Sequence, residues 1–179
     1  MYTQLQTFKY QELIEEITAC SQIEYSGKLE IKSDIGHQWS LHYRFGRIIW
    51  ATGRTHTVRR FHRRFCQHLT QININEIDLK SVNLEEEDWD HQLLTKLYIE
   101  KKLDRNQLEA FVKDAIVEVL FDIVQQANLD FISYQRNPKV ILGMSLSFIS
   151  TDIFLKRLEV EMRKWSSAQL ANFSANSAP

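Results

Sequence analysis

Apolar positions along the chain change period several times, and each change predicts an element. Between Thr7 and Cys20, Phe8, Leu13, Ile14 and Ile17 recur at helical spacing. From Ser26 the period drops to two. Leu29 and Ile31 alternate with Lys28, Glu30 and Lys32, and then Trp39, Leu41 and Tyr43 alternate with Ser40, His42 and Arg44. A third run, Arg47 to Thr52, contains Ile48, Ile49 and Trp50. Gly27, Gly36, Gly46 and Gly53 punctuate this stretch, with Asp34–Gly36 and Phe45–Gly46 placed where tight turns need a positive φ. Three antiparallel strands in a meander are predicted.

Helical spacing returns at Val58, Phe61, Phe65 and Leu69. The acids Glu85 to Asp88 then favour a helix start, which continues to about Leu103 on Leu93, Leu94, Leu97 and Tyr98. Asp104, with Gln107 three residues on, forms a capping-box pattern. The helix it opens carries Leu108, Phe111, Val112, Ala115, Ile116, Val119 and Ile123 on one stripe and Val117, Phe121 and Val124 on another. Apolar on both sides, it is predicted to be the central core helix. Leu129 to Tyr134 and Ser145 to Ser150 read as two further strands around Pro138. A last amphipathic helix, about Asp152 to Leu170, buries Leu155, Leu158, Met162 and Trp165.

The predicted class is therefore α+β: an antiparallel β-meander packed with a helical subdomain and terminal helices. The domain spans 1–170, with a β-rich part over about 25–80 and a helical part over about 85–128. Further strands follow over about 129–150, then the C-terminal helix over about 152–170. The small, polar, proline-terminated stretch 171–179 reads as a linker.

A formal net charge of -1 gives no whole-molecule bias toward polyanions, so an electrostatic partner must use a local patch. No apolar run approaches the roughly 20 residues that cross a bilayer, and the first residues lack a signal-peptide core. Cys20 and Cys66, far apart, read as reduced thiols, which points to the cytoplasm. No glycine-rich phosphate loop, nucleophile elbow or zinc spacing occurs, so neither catalysis, cofactor nor metal is expected.

One feature stands out. From Arg54 to His68 the chain holds Arg54, Arg59, Arg60, Arg63 and Arg64, with His56, His62 and His68, and no acid. On a helical wheel the arginines from 59 to 64 lie opposite Val58, Phe61, Phe65 and Leu69. Guanidinium forks suit carboxylates and phosphates. Three readings stand open: a solvated or internally paired face, with the acids 85–88 as internal partners; a docking surface for an acidic protein; or a site for nucleic acid or an anionic ligand. The third is disfavoured, since one short patch on a chain of pI ≈ 6.6 neutralises few phosphates. Trp39 and Trp50, on neighbouring strands, read as core or as an exposed aromatic platform, with core favoured.

The run from Ser26 to Phe65 resembles the PATAN domain, the N-terminal domain of cyanobacterial PatA-type response regulators. The resemblance is carried by Gly27-x-Leu29, Trp39, Tyr43, Gly46, Ile49-Trp50-Ala51 and His56-x-x-Arg59-Arg60. A second piece is the run from Ala115 to Tyr134, preceded by Lys101 to Leu108. The resemblance implies a protein-interaction output module of two-component signalling, usually joined to a C-terminal CheY-like receiver. It is linked to phototaxis, type IV pilus motility and heterocyst patterning, with a pilus motor ATPase as one kind of partner. Thr57 and Phe61 depart from the proline and tryptophan of that pattern, which bears on partner specificity.

The expectation is a non-catalytic interaction domain. Its surface, formed by Arg54, His56, Arg59, Arg60, Arg63 and Arg64 with Trp50, would dock an acidic partner. A nucleic-acid or anionic-ligand module is the alternative, and a homodimer through the long apolar helices a third reading.

Overall fold

The computed structural model describes the backbone of residues 2–53 and 56–168, with side chains from Gln11 onward. Arg54 and the 171–179 segment lie outside the described residues. The fold is α+β. In chain order it runs α1 (Tyr2–Gln22), β1 (Gly27–Ser33), β2 (Gln38–Arg44), β3 (Arg47–Gly53), α2 (Thr57–His68), α3 (Trp89–Ile99), α4 (Arg105–Leu129), β4 (Ile132–Asn137) and α5 (Thr151–Ser167). Two short 3-10 turns, Ile74–Glu76 and Leu79–Ser81, lie between α2 and α3.

The sheet has strand order β3-β2-β1-β4 with every pair antiparallel. Arg44 pairs with Arg47 across a two-residue turn in which Phe45 and Gly46 both take positive φ, 49° and 73°. That geometry matches the twist of the flanking strands. Only glycine fits at the second position, because a Cβ on Gly46 would lie 2.4 Å from the Ser21 carbonyl oxygen.

The register puts Leu29, Ile31, Trp39, Leu41, Tyr43 and Ala51 on one face. All are buried, and α1 and α4 cover them: the Tyr43 hydroxyl donates to the Ile17 carbonyl, and the Trp39 indole N–H to Asp122 of α4. α4 is buried on both predicted stripes, as the sequence requires of a central helix. Its start is the predicted capping box, with the Asp104 side chain accepting from the Gln107 N–H and the Gln107 side chain from the Asp104 N–H.

The acids 85–88 introduce α3 as expected, with Asp88 at its N-cap. Two boundaries and one element differ from expectation. α3 stops at Ile99, before Leu103. The stop is local. Lys101 sits at φ 57°, its N–H bonding to the Tyr98 carbonyl and that of Lys102 to Leu97, the hydrogen-bond pattern that closes helix ends. The run Leu129 to Tyr134 yields a strand shifted to Ile132–Asn137, because α4 stays helical through Leu129. Ser145 to Ser150 is not a strand at all. Side chains meet backbone carbonyls in this run and just before it: Arg47 donates to that of Phe148, Arg44 to those of Leu142 and Gly143, and His91 Nε2 lies 2.9 Å from the Met144 carbonyl.

Candidate functional site

α2 begins at His56, held at φ 55° with no side-chain cap. Phe61 and Phe65 turn inward to an aromatic cluster, with the Phe61 ring 5.1 Å from Trp89 and 5.5 Å from Phe111 of α4. The arginine face does not lie opposite them as a unit, and here the expected surface is corrected. Arg60 and Arg64 are buried beside the phenylalanines, at 6% and 5% exposure, whereas Val58 is exposed. A helix packed flat on another buries positions next to its apolar stripe, and these can be charged only when matched.

The match comes from α4. Asp114, Glu118 and Asp122 recur every fourth residue, as do Arg60, Arg64 and His68 on α2, and the helices pair them in opposite order. Arg60 donates to Asp122 at 3.1 Å, Arg64 to Glu118 at 2.8 Å, and His68 Nε2 lies 2.6 Å from Asp114. Arg63, on the rim, also reaches Glu118 at 2.5 Å. Asp114 binds Arg157 of α5 as well, at 2.5 Å. Burial would raise the Glu118 carboxyl, but the Arg64 and Arg63 guanidiniums outweigh it and hold the group below its usual range. The arrangement is a ladder binding α2, α4 and α5.

The internal partners are therefore not the acids 85–88. Of those, Glu87 turns to the other face of the sheet, where Ser40 and Thr52 hydroxyls and the Lys28 ammonium donate to its carboxylate. Burial opposes its ionisation, yet these donors keep it below the ordinary range. His42 lies on the same face, its pKa lowered to about 4 by burial. Trp50, opposite His42, is fully buried with its ring 5.4 Å from that of His91. It cannot touch a partner, which removes it from the expected surface.

What stays on the outside of α2 is His56, Val58, Arg59, His62, Arg63, Cys66 and Gln67, all exposed. Arg59 makes no ion pair among the described residues. Beside this face, α2, α4 and α5 enclose a groove of about 490 Å³, floored by Val117, Phe121 and Trp165 and rimmed by Arg63, Arg157 and Lys164. The Trp165 ring meets Phe121 edge-on at 5.5 Å. Sequence reading missed this groove, although Phe121 and Trp165 had both been assigned to inward helix faces.

Neither cysteine is bonded. Cys20 is buried, its thiol pushed up to about 11, chiefly by burial, while Cys66 is exposed beside His62. Among the described residues no group of three or more His, Cys, Asp or Glu side chains is placed to hold a metal ion, and no helix is long and apolar enough to cross a membrane. Compared with known protein families, curated proteins and solved structures, the chain gives no match.

Proposed function

We propose that this chain is a non-catalytic protein-interaction domain of the PATAN type, acting in the cytoplasm as the output part of a response regulator. It docks an acidic partner on the outer face of α2, through Arg59, His56, His62 and Arg63. The supporting observation is the division of α2's described arginines. Arg60, Arg63 and Arg64 are matched by α4 carboxylates, whereas Arg59 projects from the same helix unmatched, between two exposed histidines. A C-terminal CheY-like receiver that regulates access, and a pilus motor ATPase as partner, belong to the same proposal and rest on the resemblance.

The test is capture from cyanobacterial lysate by the wild-type domain and by an Arg59→Glu/His62→Glu variant whose circular dichroism is unchanged. A signalling or motor protein held by the first and lost by the second supports the surface; equal capture by both overturns it. A heparin column run alongside separates the alternative. Retention that weakens steeply with salt would favour a polyanion ligand. Flow-through is the expected result, since Arg60 and Arg64 are committed to the interior.

A further inference from the structure

The two edges of the sheet are unlike. β3 is buried from Ile48 to Gly53, whereas on β4 Ser133, Tyr134, Gln135 and Arg136 are exposed. Backbone pairing fixes which β4 groups are already used. The Asp34 N–H donates to the Phe131 carbonyl and the Ser33 N–H to the His37 carbonyl, so even-numbered residues of β1 bond to β4 and odd-numbered ones to β2. The odd-numbered residues of β4 therefore face β1. Its even-numbered residues turn their N–H and carbonyl groups outward.

The outward set is bounded on both sides. The Asp130 N–H is taken by the Gln126 carbonyl at 2.9 Å, and residue 138 is proline, with no N–H. That leaves Ile132, Tyr134 and Arg136, a set symmetric about Tyr134. The usual guards of an open edge are weak here. The strand carries one charge, Arg136, and it is drawn to Glu16 of α1 at 2.6 Å.

We propose that a second copy of this chain adds to this edge, its β4 antiparallel to the first, about a twofold axis at Tyr134. A twofold axis normal to a sheet keeps each residue on its own face, so the axis must pass through a residue position. With Tyr134 opposite Tyr134 and Ile132 opposite Arg136, every outward N–H of one copy meets an outward carbonyl of the other. Two four-stranded sheets become one of eight strands. The pairing is short, so association is concentration-dependent.

Sedimentation equilibrium of the full chain from micromolar to millimolar concentration tests this. The expected mass rises from 21.2 kDa toward twice that value. Tyr134→Pro removes an outward N–H while leaving the β1 pairing intact, an edge position where proline is tolerated; it should weaken association by about tenfold or more. A second arm does not depend on that variant folding. In a Cys66→Ser background, Tyr134→Cys places two thiols across a hydrogen-bonded pair, within disulfide reach, and should give a covalent dimer on mild oxidation, with Gln135→Cys giving far less. A wild-type chain that stays monomeric throughout, undiminished association of a folded Tyr134→Pro chain, or equal cross-linking at 134 and 135 overturns the proposal.

Discussion

Arg59 and Arg60 are neighbours in the chain, about 100° apart around α2, and one faces solvent while the other faces the interior. Arg60 is buried, bound to Asp122 and within 3.4 Å of Glu118, while Arg59 stands in solvent with no ion-pair partner among the described residues. One helix thus places the same side chain in two settings. Inside, the guanidinium fork bridges carboxylates on a second helix and fixes how α2 lies on α4; outside, it meets solvent. The difference teaches that a run of like charges need not act as one surface. What a cation does depends on the helix face it occupies and on what the facing element supplies.

The sharpest way to break the comparison is to remove the inner member. Arg60→Ala takes a guanidinium away from buried Asp122, which the Trp39 indole N–H also meets, and a half-removed buried pair costs about 3–5 kcal/mol. Urea unfolding measures it. A loss under about 1 kcal/mol would mean that the ladder does not hold α2 in place.

A paired replacement sharpens the point. Arg64→Met removes one of the three cations around Glu118, leaving Arg63 and Arg60, and should cost about 2–3 kcal/mol; Glu118→Gln should then cost less in the Arg64→Met chain than in wild type, by at least about 1 kcal/mol. Additive losses in the double-mutant cycle would show that the two groups do not act as a pair.

Much of this was legible in the sequence, and the misses have physical causes. The meander was readable because Leu29, Ile31, Trp39, Leu41 and Tyr43 alternate strictly and the Phe45–Gly46 turn suits positive φ. α4 was readable from its two apolar stripes and its capping box. Ser145 to Ser150 carries apolar residues among serines but has no strand beside it; backbone pairing is a property of neighbours, and within that run the Phe148 carbonyl is met by the Arg47 side chain instead. The inner arginines were missed for a similar reason. Their signal is a match between two distant spacings, Arg60, Arg64 and His68 against Asp114, Glu118 and Asp122, whereas attention to one helix alone leaves internal pairing as one option among three and names the acids 85–88 as its partners. Glu87, read with its neighbours as a possible partner of the arginines, reaches Ser40, Thr52 and Lys28 of the sheet instead.

Asp90 offers a smaller test on the inner side, since Arg64 is the charge that most opposes its burial. Burial raises its carboxyl from 3.8 to about 6. Below about pH 4 both folded and unfolded chains carry the proton and burial costs nothing. As pH rises from about 4 to 6 the unfolded chain ionises first, so stability falls, and above that the penalty is constant. Asp90→Asn removes it and keeps an acceptor for the His91 N–H. The variant should be more stable than wild type by on the order of 2 kcal/mol at pH 7, with the gap closing toward pH 4. A gap that does not change with pH would place the effect in packing.

The smallest stability effect belongs to the outer arginine, and it is the one that tests the proposed docking face. Arg59→Ala removes no ion pair among the described residues and exposes nothing new, so unfolding should shift by less than about 0.5 kcal/mol. Partner binding, if the outer face is the docking surface, should weaken well beyond that and lose part of its salt dependence, because an exposed cation acts mainly through screened attraction. Measuring both on the same preparation separates the two faces of α2. A stability loss comparable to that of Arg60→Ala would put Arg59 in the structural ladder. Unchanged binding at unchanged stability would leave the outer face without a part in recognition and move the search to the groove between α2, α4 and α5.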